Sequence, residues 1–301
     1  MKFRFYFLFG FFTLLFLFYP GESDLFKIFA YNRNLFIKTE NKINKPVFIP
    51  KLINQYYPDV SAEGIYVIDK KSFTPIYEKN ANNKFFPAST TKIITSLVAY
   101  DVYNLNQVIN IKKIPEEGQM MGLVPGEKIT VEYLIYGILI QSGNDAAYSL
   151  AYEYGLKNFV ELMNKKTGEL KMRSTRFTDP VGYDSPNQYT TPFDLALASR
   201  ELMDNKYLSK IVSIKDITIS DVDFKYFHNL SNINKLIGEI TGIGGVKTGY
   251  TENAGENIIS FYKESDDREF IIVVLKSEDR FNDTLKIVEW IKNNIEFVRI
   301  D

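Results

Sequence analysis

The chain has 301 residues, enough to bury the core of one large domain or of two small ones. Hydrophobic residues make up 45% and charged residues 24% of the sequence, which excludes a largely disordered protein. The 36 basic and 37 acidic residues nearly cancel and give no electrostatic basis for nucleic-acid binding, while the absence of cysteine excludes disulfides and thiolate metal sites.

The first 20 residues have the pattern of an export signal. Lys2 and Arg4 precede an uncharged, mainly aromatic run of 16 residues that extends from Phe5 to Pro20. This run is slightly shorter than the roughly 20 residues of a membrane-spanning helix, and no small-x-small cleavage site follows it directly. We therefore expect an exported protein in which residues 1–20 are either a cleaved signal peptide or an amino-terminal membrane anchor.

A spacer and a single large domain are expected after this segment. Residues 21–58 show no sustained hydrophobic period and contain prolines at positions 46, 50 and 58, which predicts a spacer. The remaining residues, 59–301, are expected to form the functional domain. Within this domain, β-branched and aromatic residues predict strands over 65–68 and 75–77, joined by a short turn.

A mainly helical stretch follows these two strands. Apolar residues such as Ile93 and Leu97 recur at helical spacing and predict a helix that begins near Ser89. Residues 205–240 carry no clear pattern. Further helices are predicted from capping residues and apolar spacing over about 130–140, 145–154, 156–171 and 191–204.

The carboxy-terminal part again predicts strands. Apolar residues favour strands over 245–250, 256–263 and 270–276, followed by a closing helix over about 282–297. Strands near both ends of the domain thus enclose a mainly helical middle. This order predicts an α/β fold of the α+β type. One antiparallel sheet built from both chain ends is flanked by helices and carries a mainly helical inserted subdomain.

Ser89 and Lys92 are the first candidates for chemistry. Residues i and i+3 of a helix lie on one face with Cβ atoms about 5–6 Å apart, so the Lys92 amine could reach the Ser89 hydroxyl. The chain has one histidine, His228, to which we assign no role, and no cysteine. A serine nucleophile here would therefore most simply use a lysine as its base.

Two further polar clusters follow downstream, Ser142-Gly143-Asn144 and Lys247-Thr248-Gly249. Each of the three short motifs has an unrelated copy in this chain. The copy of the first runs from Ser260 to Lys263 on a predicted strand, where residues i and i+3 point to opposite faces. The copies of the others lie at 185–187, in a proline-containing turn, and at 166–168, in a predicted helix. Order and surroundings, rather than any single motif, therefore carry the functional interpretation.

Taken in order, the three clusters resemble those of the penicillin-binding, active-site-serine D-alanyl-D-alanine peptidases and serine β-lactamases. Their flanks are most similar to the low-molecular-mass D-alanyl-D-alanine carboxypeptidases. The segments that carry the resemblance are 86–92, 139–147, 177–182 and 245–251. The resemblance implies the β-lactamase/DD-peptidase fold and an enzyme on the extracytoplasmic face of the bacterial cell membrane. It also implies peptidoglycan stem peptides as substrates, β-lactam antibiotics as covalent inhibitors, and neither cofactor nor metal.

The resemblance also implies a role for each matching residue. Ser89 would be the nucleophile that attacks the carbonyl of the penultimate D-Ala, and Lys92 the general base. Ser142 would relay a proton to the departing D-Ala amine, and the backbone N–H groups of Ser89 and Tyr250 would form the oxyanion hole. Arg280 would bind the terminal carboxylate, or alternatively be a solvated cap of the last helix. The implied substrate-binding residues are Asn144, Lys247, Thr248, Gly249 and Arg280.

Three other functions compete with a carboxypeptidase. An endopeptidase that cuts peptidoglycan cross-links would use the same residues. The chain shows neither the extra β-rich domain nor the carboxy-terminal anchor that carboxypeptidases often carry, so the amino-terminal segment is the expected membrane tether. A serine β-lactamase often has Asp where Gly143 stands, and its deacylation motif has only a weak counterpart in 161–164, within a predicted helix. A non-catalytic penicillin-binding sensor would not need every catalytic residue type, all of which are present.

Overall fold

The computed structural model describes residues 2–18 and 47–300. Backbone contacts divide the chain into two units, residues 1–47 with 300–301 and residues 48–299. The first unit contains helix α1 (Lys2–Leu17), whose described aromatic side chains are exposed. No helix within the described ranges is long and apolar enough to cross a membrane. Most of the spacer predicted over 21–58 lies outside the described residues.

Antiparallel strands form the framework of the second unit. A five-stranded sheet has the spatial order β3-β2-β10-β9-β8, so strands from both ends of the domain are neighbours at its centre. The predicted sheet is confirmed. In chain order, the strands are β1 (Val47–Leu52), β2 (Gly64–Asp69), β3 (Pro75–Lys79), β4 (Val108–Asn110), β5 (Lys128–Thr130), β6 (Asp216–Ser220), β7 (Phe227–Ser231), β8 (Ile243–Thr251), β9 (Gly255–Ser265), β10 (Arg268–Ser277) and β11 (Ile295–Ile300).

Six α-helices lie in the described chain between β3 and β6, and one more follows β10. Two of these helices begin at side-chain caps: the Thr130 side chain accepts from the Tyr133 N–H, and the Thr191 side chain accepts from the Asp194 N–H. The remaining helices are α2 (Lys92–Val102), α3 (Val131–Leu139), α4 (Asn144–Tyr154), α5 (Leu156–Glu169), α6 (Pro192–Asp204), α7 (Leu208–Ile211) and α8 (Arg280–Asn294).

Strand β10 shows how the core is divided. Its side chains alternate between two buried clusters, with Ile271 and Val273 in the larger and Ile272 and Val274 in the smaller. The larger cluster lies among the helices of the insertion, and the smaller contains Trp290 of α8. Because both faces of the sheet are covered, this antiparallel strand is an unbroken apolar run rather than an alternation of polar and apolar residues.

The last predicted helix is too long at its carboxy-terminal end. It ends at Asn294 instead of Phe297, and Ile295–Ile300 forms β11, which pairs with β1. The reason is long-range pairing: the partner, Val47–Leu52, lies in the stretch expected to be a spacer. The segment 205–240, which carried no pattern, contains the short helix α7 and the hairpin of β6 and β7.

Candidate active site

Ser89 and Lys92 lie where the chain enters helix α2. Ser89 is in a turn of 3-10 helix, Ala88–Thr91, and Lys92 is the first residue of α2, rather than both lying on one regular helix. Lys92 Nζ is 2.9 Å from Ser89 Oγ and also donates to Asn144 Oδ1 at 2.6 Å. The spacing that suggested contact between the amine and the hydroxyl thus places them within hydrogen-bond distance.

Burial tunes the Lys92 amine for proton transfer. Its side chain is inaccessible to solvent, and this burial lowers the pKa of Lys92 to about 7, against the opposing charges of Asp179 and Asp145. A neutral amine at this position can accept the Ser89 proton while one N–H donates to Asn144 Oδ1. A general base is most effective when its pKa lies near the working pH, so this lowered pKa suits Lys92 to the role predicted for it.

This pKa predicts a specific pH dependence. Because the pKa is lowered, the Lys92 amine becomes unprotonated as pH rises through about 7. The rate of acylation by a labelled penicillin should rise over the same pH range. Below this pH the rate should fall about tenfold for each unit, because only the unprotonated fraction reacts. Stopped-flow rates between pH 5 and 9 would check this. A profile that is flat across pH 7, or that rises only above pH 9, would contradict it.

Strand β8 forms one wall of the site because glycine allows it to lie close to Ser89. A Cβ atom added at Gly249 would lie 2.8 Å from Ser89 N and 3.0 Å from Ala88 Cβ, closer than side chains normally approach. Lys247, on the same strand, is buried, and its Nζ donates to Thr248 O at 3.0 Å. Burial, together with the charges of Lys92 and Arg280, lowers the pKa of Lys247 well below its ordinary value.

Replacing Gly249 by alanine should therefore open the site. The new methyl group would push β8 away from the Ser89 turn, and a misplacement of about 1 Å can cost on the order of 10² in rate. We expect penicillin acylation to fall ten- to one-hundredfold, by roughly that principle, with the fold retained by circular dichroism. The matched control is Gly168→Ala on α5, where no atom lies within 4 Å of the added Cβ. Equal rates in both variants would contradict the prediction.

Ser142 and Asn144 enter the site from the junction of α3 and α4. Ser142 has a φ of 61°, in the left-handed region, and Asn144 opens α4. The Asn144 amide is fully engaged with the protein: Oδ1 accepts from Lys92, and Nδ2 donates to Glu117 O at 3.0 Å and lies 3.3 Å from the Tyr183 hydroxyl oxygen. In this structure Asn144 holds the Lys92 amine, and its contact with a peptide backbone stays a prediction.

Arg280 is a wall of the site rather than a solvated cap. It is the first residue of α8, its side chain is 11% exposed, and Asp279 provides the helix cap. Its Nη1 donates to Gly249 O at 2.8 Å, which fixes the guanidinium against β8. The guanidinium brings a positive charge to this end of the site, which suits a carboxylate.

A cavity of about 310 Å³ joins these residues. The Lys92 and Lys247 side chains are buried and do not line the cavity. The Tyr250 side chain lines it and is 62% exposed. Of the residues predicted from sequence, those that line the cavity are Ser89, Ser142, Asn144, Thr248, Gly249, Tyr250 and Arg280.

The loop around Gly182 also supports the site, although no role was predicted for it. Gly182 has a φ of +96°, and a Cβ there would lie 1.7 Å from Ala88 O, so the loop packs directly on the Ser89 turn. Asp179 Oδ1 accepts from the Val181 and Gly182 N–H groups and fixes this loop. The loop lies in segment 177–182, one of the four that carried the family resemblance, which was the available signal.

Known proteins are similar to this chain over most of its length. Residues 52–279 match the sequence profile of a peptidase family described as D-alanyl-D-alanine carboxypeptidase. D-alanyl-D-alanine carboxypeptidase DacF of Bacillus subtilis is 32% identical over 222 residues, which are 70% of this chain and 57% of that protein. DacC of Escherichia coli is 31% identical over 252 residues, 77% of this chain and 62% of that protein.

A solved structure is similar over almost its whole length. The DD-transpeptidase of Streptomyces K15 superposes with a TM-score of 0.74 at 29% sequence identity, covering 78% of this chain and 98% of that one. The chain spans only 57% and 62% of the lengths of the two curated relatives named above.

Proposed function

The chain belongs to the D-alanyl-D-alanine carboxypeptidase family of serine peptidases, and on that basis we propose that it removes the terminal D-Ala from peptidoglycan stem peptides. The observation that carries this proposal is the contact of 2.9 Å between the buried Lys92 amine and the Ser89 hydroxyl. The contact faces a cavity whose far wall contains Arg280. A nucleophile, its base and a carboxylate site are the parts that this reaction needs.

The proposed acylation uses these groups in turn. Ser89 Oγ attacks the carbonyl carbon of the penultimate D-Ala while its proton passes to Lys92 Nζ. The oxyanion that forms is stabilised by the backbone N–H groups of Ser89 and Tyr250, each typically worth about 3 kcal/mol. The carbon–nitrogen bond then breaks, and Ser142 gives its proton to the departing D-Ala amine while taking the one held by Lys92, which returns Lys92 to its neutral form. Water hydrolyses the resulting Ser89 ester, with Lys92 again taking a proton.

The end of the cavity near Arg280 is proposed to bind the terminal carboxylate of the substrate. The terminal D-Ala carries this carboxylate, Arg280 holds positive charge beside the β8 wall, and the Lys247 amine lies close enough for the Arg280 charge to lower its pKa. Arg280 is suited to bind a carboxylate in a forked, two-bond geometry. A stem peptide without its terminal carboxylate should therefore bind poorly.

The geometry argues against a β-lactamase. Segment 161–164, the weak counterpart of a deacylation motif, lies on α5. The Asn164 side chain there binds the backbone of Val160 and Phe177 and does not line the cavity. No second carboxylate motif was identified in the sequence, so rapid turnover of penicillin is not expected.

We further propose an extracytoplasmic location, with residues 1–20 as signal peptide or anchor, 21–58 as spacer and 59–301 as catalytic domain. The support is the basic start and the uncharged run of the amino terminus. Mass measurement of the amino terminus of protein recovered from cell membranes and medium would distinguish cleavage from retention. Cytoplasmic recovery of the whole chain would overturn the proposed location.

The activity is tested with a muramyl pentapeptide ending in D-Ala-D-Ala. We expect release of one D-Ala per peptide and slow, single acylation by labelled penicillin. Monomers formed from a cross-linked muropeptide dimer would identify an endopeptidase, and rapid penicillin turnover a β-lactamase. Acylation without release of D-Ala would identify a sensor. Failure of both acylation and release would overturn the proposal.

A further inference from the structure

A buried histidine and glutamate meet beneath one wall of the cavity. His228 Nε2, on β7, is 2.7 Å from Glu127 Oε1, and their side chains are 4% and 0% exposed. Glu127 immediately precedes β5. The proposed reaction uses neither side chain. Burying two ionisable groups is costly unless they are paired, and a pair that touches no substrate calls for another explanation.

The pair holds one side of a loop, residues 117–124. Glu127 Oε2 accepts from the Val124 N–H at 2.9 Å. The His228 ring also hydrogen-bonds the backbone of Met121. Two points of the loop are therefore fixed to the pair, one through each partner.

The other side of the same loop is attached to helix α4. The Asp145 carboxylate accepts from the N–H groups of Met121, Gly122 and Leu123 at 2.9 to 3.0 Å. The Asn144 N–H donates to Gln119 O at 2.7 Å. The loop thus lies between the buried pair and the residue that accepts from Lys92 Nζ.

The loop is also part of the cavity itself. Gly118 and Gln119 line it, and a Cβ at Gly118 would lie 2.0 Å from Asn144 Nδ2. The loop therefore packs directly on the Asn144 amide. A displacement of the loop would move that amide, and with it the partner that orients the Lys92 amine.

We propose that His228 and Glu127 are positioning residues for acylation: they clamp loop 117–124 against α4 and so hold Asn144 on Lys92. This inference rests on the proposed function. Neither residue touches the reacting atoms, and both act through the loop.

The charges around His228 favour a clamped loop. Glu127 on one side and Asp145 on the α4 side both raise the pKa of His228, as does the Met121 backbone, while burial opposes them. Both ring nitrogens have partners that favour the protonated ring. Because the pKa is raised, this stabilisation is fully present below the ordinary histidine pKa of about 6.5 and is lost as pH rises through the folded value.

The test compares His228→Leu with the conservative variant His228→Gln. We expect His228→Leu to lower the rate of acylation at saturating penicillin about tenfold, and His228→Gln to restore part of it, because an amide can still donate to Glu127. Rescue by glutamine distinguishes positioning from mere filling of space. A folded His228→Leu variant that acylates at the wild-type rate would overturn the proposal.

Asp69→Asn is the matched control. Asp69 is a buried carboxylate that accepts hydrogen bonds from Ser72. It is the last residue of β2, whereas the first residue, Gly64, marks the end of the strand that lies level with the cavity. This variant should acylate at the wild-type rate, and equal slowing there would overturn the proposal by showing a general effect of destabilisation. Where His228→Leu fails to fold, the double variant Glu127→Gln/His228→Leu removes the unpaired buried charge and should show the same tenfold slowing. An unslowed double variant would likewise overturn the proposal.

Hydrogen exchange tests the clamp without reference to activity. The amides of Met121, Gly122 and Leu123 should exchange about tenfold faster in the His228→Leu protein or in the double variant, as expected for a local opening. Unchanged exchange would overturn the clamp. A wild-type protein that neither acylates nor releases D-Ala would overturn the proposed function instead, while the exchange result still decides the clamp.

Discussion

Replacing Ser89 by alanine is expected to abolish covalent labelling by penicillin and to lower D-Ala release by about 10⁶-fold, the scale seen when a serine nucleophile is removed. Without Oγ no ester can form, and Lys92 has no proton to accept. The fold should be retained, because the 3-10 turn is held by backbone contacts such as the Thr90 N–H to Pro87 O. Gel fluorescence of the labelled protein and an assay of free D-Ala would measure the two losses.

The chain contains a matched control for this substitution. Ser260 and Lys263 repeat the spacing of Ser89 and Lys92, but Ser260 is buried and Lys263 is exposed. The Ser260 hydroxyl has no hydrogen-bond partner, so Ser260→Ala should leave both activities unchanged and should not lower stability. Labelling that persists in Ser89→Ala would contradict the assignment of the nucleophile.

Replacing Lys92 by arginine should lower acylation by about 10³-fold, within the range typical of a lost general base. Arginine keeps the positive charge but does not give up its proton in proteins, so it cannot accept the one on Ser89. Lys92 is fully buried, so the larger arginine side chain would crowd this position. Lys92→Met is a second variant that removes both the charge and this crowding. Stopped-flow acylation at pH 8 would measure both.

A chemical rescue sharpens this second prediction. The chain has no cysteine, so Lys92→Cys introduces a unique thiol. Aminoethylation of the unfolded variant followed by refolding gives a lysine analogue with a less basic amine, which should restore acylation with its pH profile moved to lower pH. Acylation in Lys92→Arg at more than about one tenth of the wild-type rate would contradict the role of general base.

Local chemistry made much of the fold predictable. The apolar run of β10 and the caps at Thr130 and Thr191 depend on neighbouring residues, and each led to the observed element. Pairing over long distances was not accessible in this way. Strand β11 depends on its distant partner β1, Val47–Leu52, so its sequence was taken for the end of a helix.

The same distinction between local and long-range contacts applies to the active site. The contact of Ser89 with Lys92 follows from a spacing of three residues, whereas Asn144 reaches Lys92 across 52 positions and was expected to bind substrate only. His228 carried no signal because its partner, Glu127, lies 101 positions away. Only the folded chain shows that the two meet beneath the cavity.

The most direct test of the account is to trap the acyl-enzyme formed from the peptide substrate itself. Wild-type protein would be mixed with a D-Ala-D-Ala pentapeptide, quenched in acid within the first turnover, digested and analysed by mass spectrometry. We predict that the fragment containing Ser89 gains the mass of the acyl part, the pentapeptide less its terminal D-Ala. D-Ala release with Ser89 unmodified, or an adduct on any other residue, would contradict the account.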